Sequence, residues 1–406
     1  MQYCPLLHSP FSDLLDFLDI EINAHIYFRK GTSWNHAKLI AVDGRYLHTG
    51  GHNMWSDIYL KDDPVHDVSI EMEGPVAHDA HNYADEHWEF IKSKQSTWIG
   101  QVLENVPDFL PLASKTRVII SEYPKGKTTE FAPYYHATKM PVYDFPEDSV
   151  PVVSVGRQGT LVQDDRPADD AFVAMIDASK KIIRMSLQDV GPVTLPALKI
   201  PLPSLGWPDH YLNALARAIW LRGVDVEIVL TNEDAKSGYS NGWDCNDVGS
   251  EIIKRIEKQF PTANDAVLRQ KVEDNLRICY IRHGKSFKFK SGVRIGNHTK
   301  YFIVDDLISY TGSQNLYDCD LAEWGVLIDD AEVTDQMIQD YWNPMWEASF
   351  VESDCDTQKV MDGLKIDRDG ESVDKSSSEG KRKIDEAITA IARAQLPPQT
   401  ELYDEE

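Results

Sequence analysis

Two histidine–lysine pairs carry the reactive chemistry of this 406-residue chain. The first stands in WNHAKLIAVDGRYLHTGGHNMW, residues 34–55, and the second in GNHTKYFIVDDLISYTGSQNLY, residues 296–317. His36-x-Lys38-x4-Asp43-x6-Gly50-Gly51-x-Asn53 returns downstream as His298-x-Lys300-x4-Asp305-x6-Gly312-Ser313-x-Asn315. A shared register over so many fixed positions marks an internal repeat. Residues two apart on a strand face one side, so His36 projects with Lys38 and His298 with Lys300. The glycine turn that follows brings an Asn amide and backbone N–H groups towards the same point. Each copy therefore offers a nucleophile or acid, a fixed cation and an amide donor. If the copies face each other across a pseudo-twofold, two His, two Lys and two Asn converge on one small anion. That set suits a phosphodiester: lysines and amides stabilise equatorial oxygens, and the histidines take the apical positions of an in-line displacement. The chemistry calls for no metal and no cofactor.

The elements that must position these residues are legible in the second half. LIAV and YFIV, after the two lysines, read as buried strands. From about Arg166 helix and strand alternate. DDAFVAMIDASKK reads as a helix and IIRMSL as a strand. HYLNALARAIWLRG is a helix with Leu212, Leu215 and Ile219 on one face and Gly223 as its stop. VDVEIVL, SEIIKRIEKQF and NLRICYIRH continue as strand, helix and strand up to His298. The fold class is α/β: two pseudo-symmetric halves, each a mixed sheet flanked by helices, with the active site at their interface. EINAHIYFRK stands before His36 as NLRICYIRH stands before His298, yet only residues 1–20 lie upstream of it. The first half thus lacks roughly two β–α units, which would leave unpaired strand edges. The sequence reads as an N-terminally truncated version of a longer protein. The domain reading is 1–92 for the incomplete first half, 93–165 for a loop-rich linker, 166–352 for the second half and 353–406 for a polar tail with a short amphipathic helix around Ile384, Ile388 and Ile391.

Composition narrows the partners. A net charge of −25 and 42% hydrophobic residues describe an acidic chain able to bury sizeable cores. Acidity repels polyanions, and Lys381–Lys383 is too short a basic run to override it, so nucleic acid is not expected. No run approaches the ~18 apolar residues of a membrane span, and residues 1–17 lack a signal-peptide pattern. The location is secreted or peripheral if a missing N-terminus carries such a signal, and cytoplasmic otherwise. The five dispersed cysteines (Cys4, Cys245, Cys279, Cys319 and Cys355) neither demand nor forbid a disulfide.

The paired H-x-K-x4-D with a downstream G-[GS]-x-N resembles the phospholipase D superfamily. DPVHDVSIEMEGPVAHDAHNYADEHW, PVVSVGRQG, SLQDV and NLYDCDLAEWGVLI are similar to segments of the secreted actinomycete-type phospholipases D, so that the resemblance covers most of residues 34–350. It implies the phospholipase D fold. It also implies hydrolysis or transfer of phosphatidyl groups from phosphatidylcholine-like lipids, giving phosphatidic acid and a free headgroup. By position it makes His36 the nucleophile that forms a phosphohistidine and His298 the acid/base, with the reverse assignment open on sequence alone. It places Asp67 and Glu323 where carboxylates hold the far ring nitrogens, although Glu323 departs from the aspartate of bacterial members. Lys38, Lys300, Asn53, Asn315 and Ser313 are the expected substrate-binding set. Asp43 and Asp305 serve structure in this family and stand outside the catalytic set.

Other residues carry weaker signals. His78, His81 and His87 invite a metal reading, but an exposed polar helix explains them better. His48 and His52 pack or face solvent beside the glycine turn, and Gln188, at a strand end, either reaches the site or serves only as a strand-end residue. Tyr123, Phe131, Tyr134, Tyr135, Tyr143 and Phe145 suit either a lipid boundary or a small satellite core. Asp367 and Asp369 only faintly resemble a calcium loop. Two further readings compete: another superfamily phosphodiesterase, such as a nuclease or phosphatidyltransferase, and a truncated, inactive relative acting as a binding protein.

Overall fold

The structure is a computed structural model. It describes residues 24–29, 34–53, 62–95, 116–121, 149–158, 166–193, 201, 206–233, 235, 243–261, 264–284, 286–319 and 321–366, with backbone alone for 24–29, 34, 88–95 and 116–121. The linker aromatics, Cys4, Asp367, Asp369 and the helix expected around Ile388 lie outside the described residues.

Strand β1 (Ala24–Arg29) pairs antiparallel with β6 (Thr116–Ser121). A second sheet holds β3 (Leu39–Val42), β4 (Tyr46–Gly50) and β5 (Ser69–Glu73), all antiparallel, with helix α1 (Val76–Gln95) against it. The main sheet runs β10-β9-β8-β11-β12-β13-β2, and β7 also pairs with β13. In chain order these are β2 (Trp34–Asn35), β7 (Val152–Arg157), β8 (Ile182–Leu187), β9 (Asp225–Leu230), β10 (Leu276–Tyr280), β11 (Lys300–Val304), β12 (Ile308–Gly312) and β13 (Leu321–Asp329). The segment read as loop-rich therefore supplies two strands, β6 and β7.

Helices α2 (Pro167–Ala178), α3 (Asp209–Arg217, with a π turn to Arg222) and α4 (Cys245–Gln259) cover one face of the main sheet. Pro167 opens α2, where a missing N–H costs nothing. Asp244 and Asp247 form a capping box on α4. Gly223 ends the π turn in the left-handed conformation expected of a stop. Phe172, Leu212, Leu215, Ile219 and Ile252 pack there on Ile183, Met185, Ile228 and Phe302. Helix α5 (Asp265–Asn275) leads into β10. On the other face, Tyr301 and Ile303 meet Ile338, Trp342 and Met345 from the run that follows β13, comprising α6 (Ala331–Met337), a π turn (Ile338–Trp342) and α7 (Asn343–Ser349). The segment from residue 353, read as a polar tail, begins with packed structure. Helix α8 (Thr357–Gly363) follows Cys355, and Cys355, Met361 and Ile366 are buried in the main core. Cys245, Cys279, Cys319 and Cys355 are buried, and no disulfide joins any two of them.

The repeat is physical. Hairpin β3–β4 pairs Leu39 with Thr49, and β11–β12 pairs Tyr301 with Thr311, the same motif positions in each copy. Asp43 and Gly44 turn the first hairpin with φ of 55° and 65°, and Asp305 and Asp306 the second with 56° and 61°. Consecutive positive φ values make the type I′ turn that suits twisted strands. The Asp305 carboxylate accepts the N–H groups of Lys180, Lys181 and Ile182 at 2.7–3.1 Å, which ties the turn to β8. The copies differ on their outer faces. YFIV is buried throughout, whereas LIAV exposes Ile40 and Val42, at 41% and 47%. Four apolar residues in a row read as a two-sided buried strand, but β3 buries only Leu39 and Ala41.

Candidate active site

The two halves interlock at the motifs. The His36 N–H donates to the Ala322 carbonyl at 2.8 Å, and the His298 N–H donates to the His66 carbonyl at 2.7 Å. Each contact places the next residue's carboxylate beside the histidine. Glu323 Oε2 lies 3.0 Å from His36 Nδ1, and Asp67 Oδ2 lies 2.8 Å from His298 Nδ1. Each half thus supplies the carboxylate for the other half's ring. With Nδ1–H donating to a carboxylate, Nε2 is left as the reactive nitrogen. The imidazole centroids are 6.4 Å apart.

The turn after each hairpin explains its spacing. Ser313 Oγ donates to Glu323 Oε2 at 2.5 Å, seating the longer glutamate arm. The first copy has Gly51 there, where a Cβ would meet Asp67 Oδ1 at 1.9 Å. Glycine with aspartate and serine with glutamate are therefore matched pairs. Asn53 Nδ2 lies 3.5 Å from His298 Nε2. Asn315 Nδ2 donates to Gln188 Oε1 and to the Tyr317 hydroxyl, both at 3.3 Å. Gln188 does reach the site, because its Oε1 also accepts from Lys300 Nζ at 2.8 Å. Lys38 Nζ donates to the His36 carbonyl at 2.6 Å, and Lys300 Nζ donates to the His298 carbonyl.

Burial governs the protonation states. It lowers His36 to about 4 against the pull of Glu323, and it lowers His298 to about 3 with help from Lys300. Burial also lowers Lys38 to about 8 and Lys300 to about 7. Both imidazoles are neutral near neutral pH. Negative charge placed between the rings would favour protonation of one of them.

The remaining candidates fall elsewhere. His48 stands 3.6 Å from Glu71 on the half-exposed sheet, and His52 Nδ1 meets Ser69 Oγ at 2.6 Å. The helix bearing His78, His81 and His87 is less exposed than its polarity implies. His81 Nε2 accepts the Gly44 N–H at 3.1 Å, and His87 Nε2 lies 3.2 Å from the Tyr83 hydroxyl. Among the described residues no cluster of three His, Cys, Asp or Glu is arranged to hold a metal ion. No described helix is long and apolar enough to cross a membrane.

The family described as "Cardiolipin synthase, PLD-like domain" matches residues 196–346, which contain the second motif. Residues 196–346 are therefore similar to a phospholipase D-like domain. A phospholipase D of Streptomyces antibioticus is 24% identical over 353 residues, covering 78% of this chain. The present chain spans 59% of that relative's length. Among solved structures, the phosphatidylserine synthase of Haemophilus influenzae aligns over 89% of this chain and 69% of its own, at 13% identity and a TM-score of 0.46. Nuc of Salmonella typhimurium, a phospholipase D family member, aligns over 50% of this chain and 97% of its own, at 16% identity and a TM-score of 0.31. The candidate site is held by residues that the motif spacing does not show. Arg157, Asp169 and Gln314 form a buried cluster behind Glu323. Gln314, between Ser313 and Asn315, was the one sequence hint, since a polar residue inside a buried turn needs a partner.

Proposed function

We propose that the protein is a phosphodiesterase of phospholipase D type. It hydrolyses phosphatidylcholine-like phospholipids to phosphatidic acid and a free headgroup, or transfers the phosphatidyl group to an alcohol. The observation that carries this reading is the facing pair of imidazoles, each held at Nδ1 by a carboxylate from the opposite half. In the reaction, His36 Nε2 attacks phosphorus while His298 Nε2–H protonates the departing alcohol oxygen. Water or an acceptor alcohol then gives its proton to His298 and attacks the phosphohistidine, and His36 leaves. Glu323 and Asp67 hold the rings and stabilise the charge that develops on them. Lys38, Lys300 and Asn53 stabilise the equatorial oxygens, and Asn315 and Ser313 hold Gln188 and Glu323 in place. The lipid substrate is supported by the named relative and by the acidity of the chain, which disfavours nucleic acid. The test is choline release from phosphatidylcholine–detergent micelles by the purified protein. Release that disappears in His36→Ala is expected. A folded protein that cleaves an oligonucleotide and leaves the lipid intact overturns the reading.

A further inference from the structure

We infer that Arg157 is a positioning residue for the nucleophile: fixed between Asp169 and Glu323, it keeps the Glu323 carboxylate ionised and facing Nδ1 of His36. The role rests on the proposed reaction only for its kinetic consequences.

Arg157 ends β7 and is the direct cross-strand partner of Glu323 on β13. Side chains paired in this way share a face of the sheet, so opposite charges attract. Arg157 is 3% exposed and Glu323 is fully buried. The guanidinium Nη1 donates to Asp169 Oδ1 at 3.0 Å and Oδ2 at 3.2 Å, while Nη2 lies 3.9 Å from Glu323 Oε1. Among the described residues neither Nη2 nor Nε has a hydrogen-bond partner, and the Nη2 contact with Glu323 is electrostatic.

The far side of the cation is immobile. Asp169 accepts from Gln314 Nε2 at 2.9 Å and from the Tyr211 hydroxyl, and His210 Nε2 stands 3.7 Å away. Helices α2 and α3 and the second motif's own turn therefore pin one end of Arg157, and the other end bears on the carboxylate that orients His36. A buried carboxylate without a compensating charge takes up a proton. Glu323 also faces His36, Lys38 and Lys300 from the motifs, Tyr83 from α1, Tyr310 from β12 and Tyr317 from the turn. Burial pushes the Glu323 carboxyl up, but His36, Arg157 and Lys38 outweigh it and hold it below its ordinary value.

The consequence concerns one proton. A protonated Glu323 would donate its O–H to Nδ1 of His36, and the ring's own proton would then sit on Nε2. That tautomer has no lone pair to attack phosphorus.

The experiment compares the 406-residue chain with its Arg157→Gln and Arg157→Lys variants, using bis(4-nitrophenyl) phosphate as a probe that needs no membrane. Removing the charge should move the acidic limb of the kcat profile upward by about one pH unit, with KM little changed. Lysine keeps the charge but cannot bridge both carboxylates, so it should move the limb less and recover part of kcat. A fall in kcat with an unmoved limb, or no change in either variant, overturns the inference. Should Arg157→Gln fail to fold, Arg157→Lys still reads the direction of the limb. Nitrogen-15 spectra of labelled histidines form an arm independent of turnover. His36 should carry its proton on Nδ1 in the parent and on Nε2 in a substantial fraction of a charge-weakened variant. A parent inactive on every phosphodiester sinks the functional reading alone, whereas an unchanged His36 tautomer sinks the role of Arg157.

Discussion

Glu323 holds Nδ1 of His36 at 3.0 Å from a strand of the opposite half, 287 residues away in the chain. The mirror contact, Asp67 on His298, spans 231 residues in the reverse sense. Neither His36 nor His298 takes its Nδ1 carboxylate from its own half, so both contacts require the halves to be docked. Breaking either contact should cost catalysis far more than folding. Glu323→Gln and Asp67→Asn should each lower kcat by on the order of 10²–10⁴-fold, because the ring loses its enforced tautomer. Steady-state kinetics with a check of secondary structure decides this, and a variant retaining more than half of its activity contradicts it.

The matched pairs at the glycine turns give a second prediction. Gly51→Ala places a Cβ on Asp67 Oδ1 and should displace the carboxylate from His298, abolishing measurable turnover. Ser313→Ala removes one hydrogen bond from Glu323 and should cost about 1–2 kcal/mol in urea unfolding, with a smaller kinetic loss. Equal effects at the two positions would show that they do not hold their carboxylates as described.

Asp305 should behave as a structural residue despite its place in the motif. Its carboxylate accepts three backbone N–H groups and sits at a positive φ. Asp305→Ala should lower stability by about 2–3 kcal/mol while kcat per folded molecule stays within a few-fold. A large kcat loss in fully folded protein would place Asp305 in the reaction instead.

Stability should fall in mild acid. His36 and His298 titrate at about 4 and about 3 in the folded chain, below the ordinary 6.5 that the unfolded chain retains. Between these values the unfolded state binds more protons, so their contribution is present above pH 6.5 and is lost progressively as pH falls to about 4. Thermal melts at pH 7.5 and pH 4.5 should show this loss in the parent and a shallower dependence in the His36→Gln, His298→Gln double variant. Parallel slopes in the two proteins would refute it.

The legible part of this molecule is what repeats or keeps a fixed period. The apolar runs after the His–x–Lys pairs announced strands, although His36, Lys38 and His298 themselves lie outside them, and the alternation after residue 166 announced the layered second half, because both are local patterns. Asp67 and Glu323 came from family resemblance, since nothing in their spacing links them to the histidines they hold. Arg157 was invisible for the same reason. It is twelve residues from Asp169, and its approach to Glu323 is decided by which strands pair. The exposure of Ile40 and Val42 was misjudged because an apolar run does not say whether one or both of its faces are covered. The packed start of the last segment was missed because Val360, Met361, Leu364 and Ile366 make only a short apolar pattern before a long polar stretch.

The most direct test of the central claim is to trap the covalent intermediate. The protein is mixed briefly with phosphatidylcholine, quenched in conditions that preserve phosphoramidates, digested and mapped by mass spectrometry. A phosphatidyl adduct on the peptide containing His36, absent in His36→Ala, is the predicted result. Turnover that proceeds with no histidine adduct, or with an adduct outside the two motif histidines, would contradict the account.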